Sequence, residues 1–226
     1  MANSPFPTSI RSASAGSALA TNKLIRNTYT LLSITLLFSA LMAGVSVMLQ
    51  LPFMANLLCI GGALVLLWFV LPRTANSTAG IGVVFGITGL MGLALGPIIG
   101  HYLNLPNGAQ TVGTAFGGTA AIFLGLSGYA LVSRRDFSFM GGFLFTGMIV
   151  VLLAAIGNMF FAIPALSLAI SAAVIFIMSG FILYDTSRMV NGGETNYLHA
   201  TVGLYLSIFN IFVHLLQLLG IMGGDD

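Results

Sequence analysis

The sequence predicts an all-α membrane protein, a bundle of seven transmembrane helices. Three observations carry that prediction. Of 226 residues, 58% are hydrophobic and 5% are charged, against about 25% charged in a soluble domain. The chain divides into seven apolar runs, each close to the roughly 20 residues that cross a bilayer as a helix. With seven spans, every Lys and Arg falls on one side of the membrane.

The elements follow in order. Residues 1–22, "MANSPFPTSIRSASAGSALATN", are rich in Ser, Ala, Thr and Pro. They lack the sustained apolar core of a signal peptide, and the small residues precede the first apolar run. They read as a flexible tail. The first span covers residues 29–51 and stops at Pro52; the second covers 53–71 and stops at Pro72 and Arg73. The third (77–100) and fourth (111–132) are glycine-rich, with Gly82, Gly86 and Gly89, then Gly92, Gly96 and Gly100, then Gly113 and Gly117. Small residues four apart let helix backbones approach closely in lipid, so a tightly packed bundle is expected here. The fifth span covers 137–161 and Pro164 breaks the chain. The sixth covers 165–184 and ends at Asp185; the seventh covers 197–222. The domain expectation is a tail over 1–22, a membrane domain over 23–222 and an acidic tail over 223–226. No longer internal repeat is visible, so an inverted-repeat transporter is not indicated.

Arg11, Lys23 and Arg26 precede the first span, Arg73 follows the second, Arg134 and Arg135 follow the fourth, and Arg188 follows the sixth. The positive-inside rule puts that side in the cytoplasm, with the N-terminus inside and the C-terminus outside.

Helix seven carries the clearest pattern. At about 100° per residue, His199, Gly203, Ser207, Asn210, His214 and Gln217 share an arc of about 80°. Leu, Ile, Val and Phe cover the opposite face. Polar groups are costly in hydrocarbon, so this face should look into the bundle, and helix seven should be central or line a cavity. Asp185 is the one acid set directly against a long apolar run. A helix C-terminus disfavours a carboxylate, so Asp185 either pairs with Arg73 or Arg188 or is kept partly protonated by burial. The short loop after it makes helices six and seven antiparallel neighbours, which would set Asp185 near His199, Gly203 or Ser207. Glu194 is expected to open helix seven, with Thr195 or Asn196 as its cap. His101 reads as a surface residue.

Other chemistries find little support. A net charge of +2 is too small to indicate nucleic acid. The lone Cys59 gives neither a disulfide framework nor a cysteine metal site. A membrane aspartyl protease needs two carboxylates sharing a proton, and only Asp185 is placed for that. No nucleophile elbow, zincin motif or phosphate-binding loop is present. No catalytic residue and no metal ligand is expected.

Two long motifs then carry a resemblance. "ILYDTSRMV" at the end of helix six and "ETNYLHATVGLYLSIFNIF" in helix seven resemble the Bax inhibitor-1, or transmembrane Bax inhibitor motif, family. "NKLIRNTYTLLSITLLFSA" and "GGETNY" are similar to its proteobacterial branch, which includes the modulator of the membrane-anchored ATP-dependent protease FtsH. The resemblance covers roughly residues 23–222 and implies a seven-helix fold with helix seven central, in a bacterial inner membrane. It implies no cofactor. For calcium-leak members it implies Ca2+ as transported ion and two aspartates, on helices six and seven, that share a proton and gate a pore by pH. Asp185 matches the first through "LYD". The second position falls on Ser207 in Leu204-Tyr205-Leu206-Ser207. One carboxylate beside a hydroxyl makes no proton-sharing dyad and offers one charge fewer to a divalent cation. Two functions follow as expectations. One is a regulatory protein that binds FtsH and slows its action, with the tail as a handle. The other is a pH-sensitive cation leak with Asp185, Ser207 and Arg73 at the gate.

Overall fold

The computed structural model describes residues 9–222, and every regular element among them is helical. Seven helices are long and apolar enough to cross a membrane. They are α1 (Ser9–Met48), α2 (Phe53–Thr74), α3 (Ala79–Leu103), α4 (Gly108–Ser133), α5 (Gly141–Phe161), α6 (Pro164–Val190) and α7 (Tyr197–Met222). Each of the seven expected spans meets one helix.

Three boundaries differ from expectation, the third at Pro72. Helix α1 begins at Ser9, inside the segment read as a loose tail. Ala13, Ala15, Ala18 and Ala20 favour helix, and no proline follows Pro7 to stop it. Residues 1–8 and the acidic tail 223–226 lie outside the described residues. Helix α6 runs past Asp185 to Val190. Its stop signal is Gly192, at φ +78, with the Gly193 N–H donating to Arg188 O at 2.8 Å. That is the six-to-one bond of a glycine-terminated helix. Asp185 therefore sits within α6, and the helix-end dipole argument does not apply to it.

Two prolines lie inside helices and their neighbours compensate. Pro97 in α3 has no N–H for the carbonyl four residues back, Leu93 O. The Ser46 hydroxyl of α1 donates to that oxygen at 2.8 Å. Pro72 likewise lacks a bond to Trp68 O, and the turn before it widens to a π-helix over Leu66–Val70. Arg73 then donates to Phe69 O at 2.9 Å and the Thr74 hydroxyl to Val70 O at 2.9 Å. Pro72 thus re-forms the helix rather than ending it.

Helix α1 packs along α3, and α2 packs on α3. A Cβ at Gly92 would overlap Ser39 of α1, and one at Gly96 would overlap Ser46. This close approach is what small residues permit in lipid. It is not general, because Gly82, Gly100, Gly113 and Gly117 face open space. Among the described residues α2 touches only α3 and α5 touches only α6, whereas α7 touches α1, α3, α4 and α6. The main apolar core, with Leu32, Ile87, Ile182, Leu204 and Ile211, lies among these inner helices.

Candidate functional site

Helices α6 and α7 run side by side and bring the sequence-predicted residues into view. Asp185 of α6 lies against Gly203 of α7. A Cβ built on Gly203 would sit 2.9 Å from Asp185 Oδ2, so the carboxylate occupies the place of a side chain. Asp185 is partly buried and, among the described residues, makes no hydrogen bond and no ion pair. Both expected cations are engaged elsewhere. Arg188 pairs with Glu194 at 3.7 Å and donates to Gly193 O at 2.7 Å. Arg73 serves the π-turn carbonyl of Phe69. Ser207 is buried one turn beyond Gly203 and forms no hydrogen bond with Asp185. The structure thus sets Asp185 against Gly203, and among the described residues no hydrogen bond or ion pair joins it to Ser207 or Arg73.

The rest of the helix-seven arc divides three ways. His214 Nδ1 lies 3.2 Å from the Ser171 hydroxyl of α6, which donates to Gln217 Oε1 at 3.1 Å. With its own proton given to Gln217, Ser171 can accept one from His214 Nδ1. Asn210 turns back to donate to Leu206 O of its own helix at 2.8 Å. His199 is exposed near the start of α7. Asn196 is the cap: its Oδ1 accepts from the N–H of Leu198 at 2.9 Å, while its amide donates to Ala75 O at 2.9 Å. Glu194 accepts from the N–H of Thr195 and of Asn196, both at 2.9 Å. His101 is exposed and stacks edgewise on Tyr102.

Sequence reasoning missed the hydroxyls that tie α1 to its neighbours. Tyr205 is almost wholly buried, and its OH meets Ser39 Oγ at 2.6 Å and donates to Thr88 O at 3.3 Å. One α7 side chain so joins α1 and α3. Tyr29 of α1 bonds Ser127 of α4 and reaches Thr186 of α6 at 3.4 Å. Thr201 of α7 donates to Thr28 O at 3.4 Å and more closely to Tyr197 O at 2.7 Å. The Thr28 hydroxyl is buried without a partner among the described residues. The available signal was Tyr205 itself, because a tyrosine deep in an apolar span needs a partner for its hydroxyl. Among the described residues no group of three His, Cys, Asp or Glu is placed to hold a metal.

Outside the spans, the loop between α4 and α5 is fastened to α6. Ser187 accepts from the Phe137 N–H at 2.9 Å and donates to Arg135 O at 3.0 Å. Asp136 accepts from the Ser138 hydroxyl and from its N–H, and these bonds hold its carboxyl below the ordinary carboxylate range.

Residues 21–224 match the family described as inhibitor of apoptosis-promoting Bax1. The chain belongs to this family. Across 209 residues it is 48% identical to the modulator of FtsH protease YccA of Escherichia coli K12, covering 92% of this chain and 94% of that one. It is 45% identical over 224 residues to an uncharacterized membrane protein of Vibrio cholerae, covering 99% and 100% of the two chains. A Pseudomonas aeruginosa relative is 46% identical over 203 residues, 90% of this chain and 91% of its own. An E. coli O6 relative is named an inner membrane protein. With seven spanning helices, this family member is a multi-pass inner-membrane protein.

Proposed function

We propose that this protein binds the membrane-anchored protease FtsH and slows its degradation of other membrane proteins. The observation that carries this reading is the 48% identity, over 92% of the chain, to a protein named for modulating FtsH. The architecture supports it in two ways. Among the described residues helices α2 and α5 each touch a single neighbour, so long apolar flanks face the bilayer, where a membrane partner can meet them. Helix α1 has 40 residues, about twice the length that spans a bilayer. Its first turns thus extend beyond the membrane, on the cytoplasmic side by the placement of Lys and Arg.

The test is co-purification of the full chain with FtsH from solubilised membranes, followed by degradation of a membrane substrate by the reconstituted pair. Association with slower degradation is expected. Absence of both would overturn the proposal.

A second reading, a pH-sensitive cation leak, is favoured by the unpaired Asp185 beside Gly203 and by the polar row on α6 and α7. Its test is calcium flux into liposomes between about pH 5 and 8, the range where groups near neutrality titrate, with Asp185→Asn alongside. Flux no greater than that of empty liposomes would refute it.

A further inference from the structure

Helices α2 and α7 both pack on α3 but not on each other. Among the described residues no Cα of α2 comes within 8 Å of a Cα of α7. The slot between them is an open groove of about 350 Å³. Leu67, Trp68 and Leu71 form its α2 wall, which includes part of the π-turn; His199, Gly203 and Leu206 lie on the α7 wall. Near the start of α7 the groove is braced by the Asn196 amide, which holds Ala75 O and Asn76 Oδ1 in the α2–α3 loop. Its long side opens to the bilayer, where Trp68 is 68% exposed.

Two ionisable groups, neither in an ion pair among the described residues, adjoin residues that line this slot: Asp185 lies against Gly203, and Arg73 follows Pro72. At Gly203 stands the carboxylate of Asp185, which has no cation or donor partner among the described residues. Beyond Pro72 stands Arg73, exposed and in no ion pair among those residues, with one guanidinium nitrogen on Phe69 O. The other Arg73 N–H groups are donors suited to a phosphate. An occupant that matches the slot has an apolar chain, a phosphate and a hydrogen-bonding cation.

We propose that the α2–α7 groove binds phosphatidylethanolamine. An acyl chain lies along Leu67, Leu71 and Leu206, the phosphate meets Arg73, and the primary ammonium meets Asp185. The ammonium brings three N–H donors to a carboxylate that lacks any. A choline headgroup has the charge but no N–H donor, and a glycerol headgroup has no cation, so the three lipids separate the parts of the proposal. A membrane-spanning peptide could also fill an apolar groove, but one open along its length to lipid and flanked by both signs of charge fits a zwitterionic lipid better.

The experiment is native mass spectrometry of the full chain released from detergent micelles that contain phosphatidylethanolamine, phosphatidylcholine or phosphatidylglycerol. Retention of the ethanolamine lipid should exceed that of the other two by about tenfold, as one charge-assisted hydrogen bond implies. Asp185→Asn and Arg73→Gln should each lower it by a similar factor. Arg134→Gln, a basic residue in the α4–α5 loop, should leave it unchanged. Melting curves establish that each variant is folded, and the exposed Arg73→Gln serves if Asp185→Asn is not. Equal retention of the three lipids, preference for phosphatidylglycerol, or equal loss in Arg134→Gln would overturn the proposal. So would a polypeptide retained in place of lipid and released by Asp185→Asn.

Discussion

Ser46→Ala isolates the repair of the Pro97 break. The substitution keeps Cβ and removes only the hydroxyl that donates to Leu93 O at 2.8 Å. Ser46 is completely buried, so water does not readily replace it. An unsatisfied buried carbonyl costs about 1–3 kcal/mol. Measured side-chain hydrogen bonds within membranes average about 0.6 kcal/mol and reach about 1.7. The expected loss for Ser46→Ala is therefore about 1–2 kcal/mol. The decisive arm is the same change in a Pro97→Ala background. An alanine in place of Pro97 supplies the N–H that can close the bond to Leu93 O, so the Ser46 hydroxyl becomes redundant and its loss should cost below about 0.5 kcal/mol. The cycle should show about 1 kcal/mol of coupling. Reversible unfolding of the four proteins in mixed micelles of rising sodium dodecyl sulfate fraction gives the numbers. Equal cost of Ser46→Ala in both backgrounds would refute the reasoning.

Three further outcomes are expected. Tyr205→Phe should lower stability by about 1 kcal/mol and Tyr205→Ala by about 3–5 kcal/mol, read in the same unfolding assay; a neutral Tyr205→Phe would mean that its bonds to Ser39 and Thr88 contribute nothing. Gly203→Ala should cost about 1 kcal/mol or more, because the new Cβ must displace the Asp185 carboxylate, and Asp185→Ala should relieve that cost; an additive double variant would contradict the contact. Ser138→Ala should return the Asp136 titration toward the ordinary carboxylate value, followed by carboxyl-carbon NMR. The sign is that of a lowered folded-state pKa: the Asp136 contribution is fully present above the ordinary value and disappears as pH falls through the lowered one. An unmoved titration would show that the Ser138 hydroxyl does not set it.

The seven spans were legible because hydrocarbon thickness fixes their length and because Pro52 and Pro164 punctuate them. The π-turn was not, since it depends on which side chains can take up the carbonyls that Pro72 leaves, and Arg73 and Thr74 look like ordinary end residues. The end of α6 was misread at Asp185 because charge was weighed above Gly192, the residue whose backbone can turn out of a helix. In the site, helical angles grouped Gly203, His214 and Gln217, and the structure brings all three to α6. They could not show that Asp185 meets Gly203 rather than Ser207, because that depends on the offset between two helices. Which residues Tyr205 and Tyr29 bond was invisible for a related reason. Their partners lie 166 and 98 residues away in sequence, and nothing in a local period encodes such a distance.

Helix α1 gives the molecule a mechanical grain. It is bonded through Ser46 to α3, through Tyr29 to α4 and α6, and through Ser39 and Thr28 to α7. A machine that drags on the leading end loads all four fastenings in shear at once, before any peripheral helix has moved. Tension at the α2 or α5 flank instead peels one helix from one neighbour. The chain is thus toughest in the direction from which a processive motor at its front end would haul it, and it gives way most easily from the side.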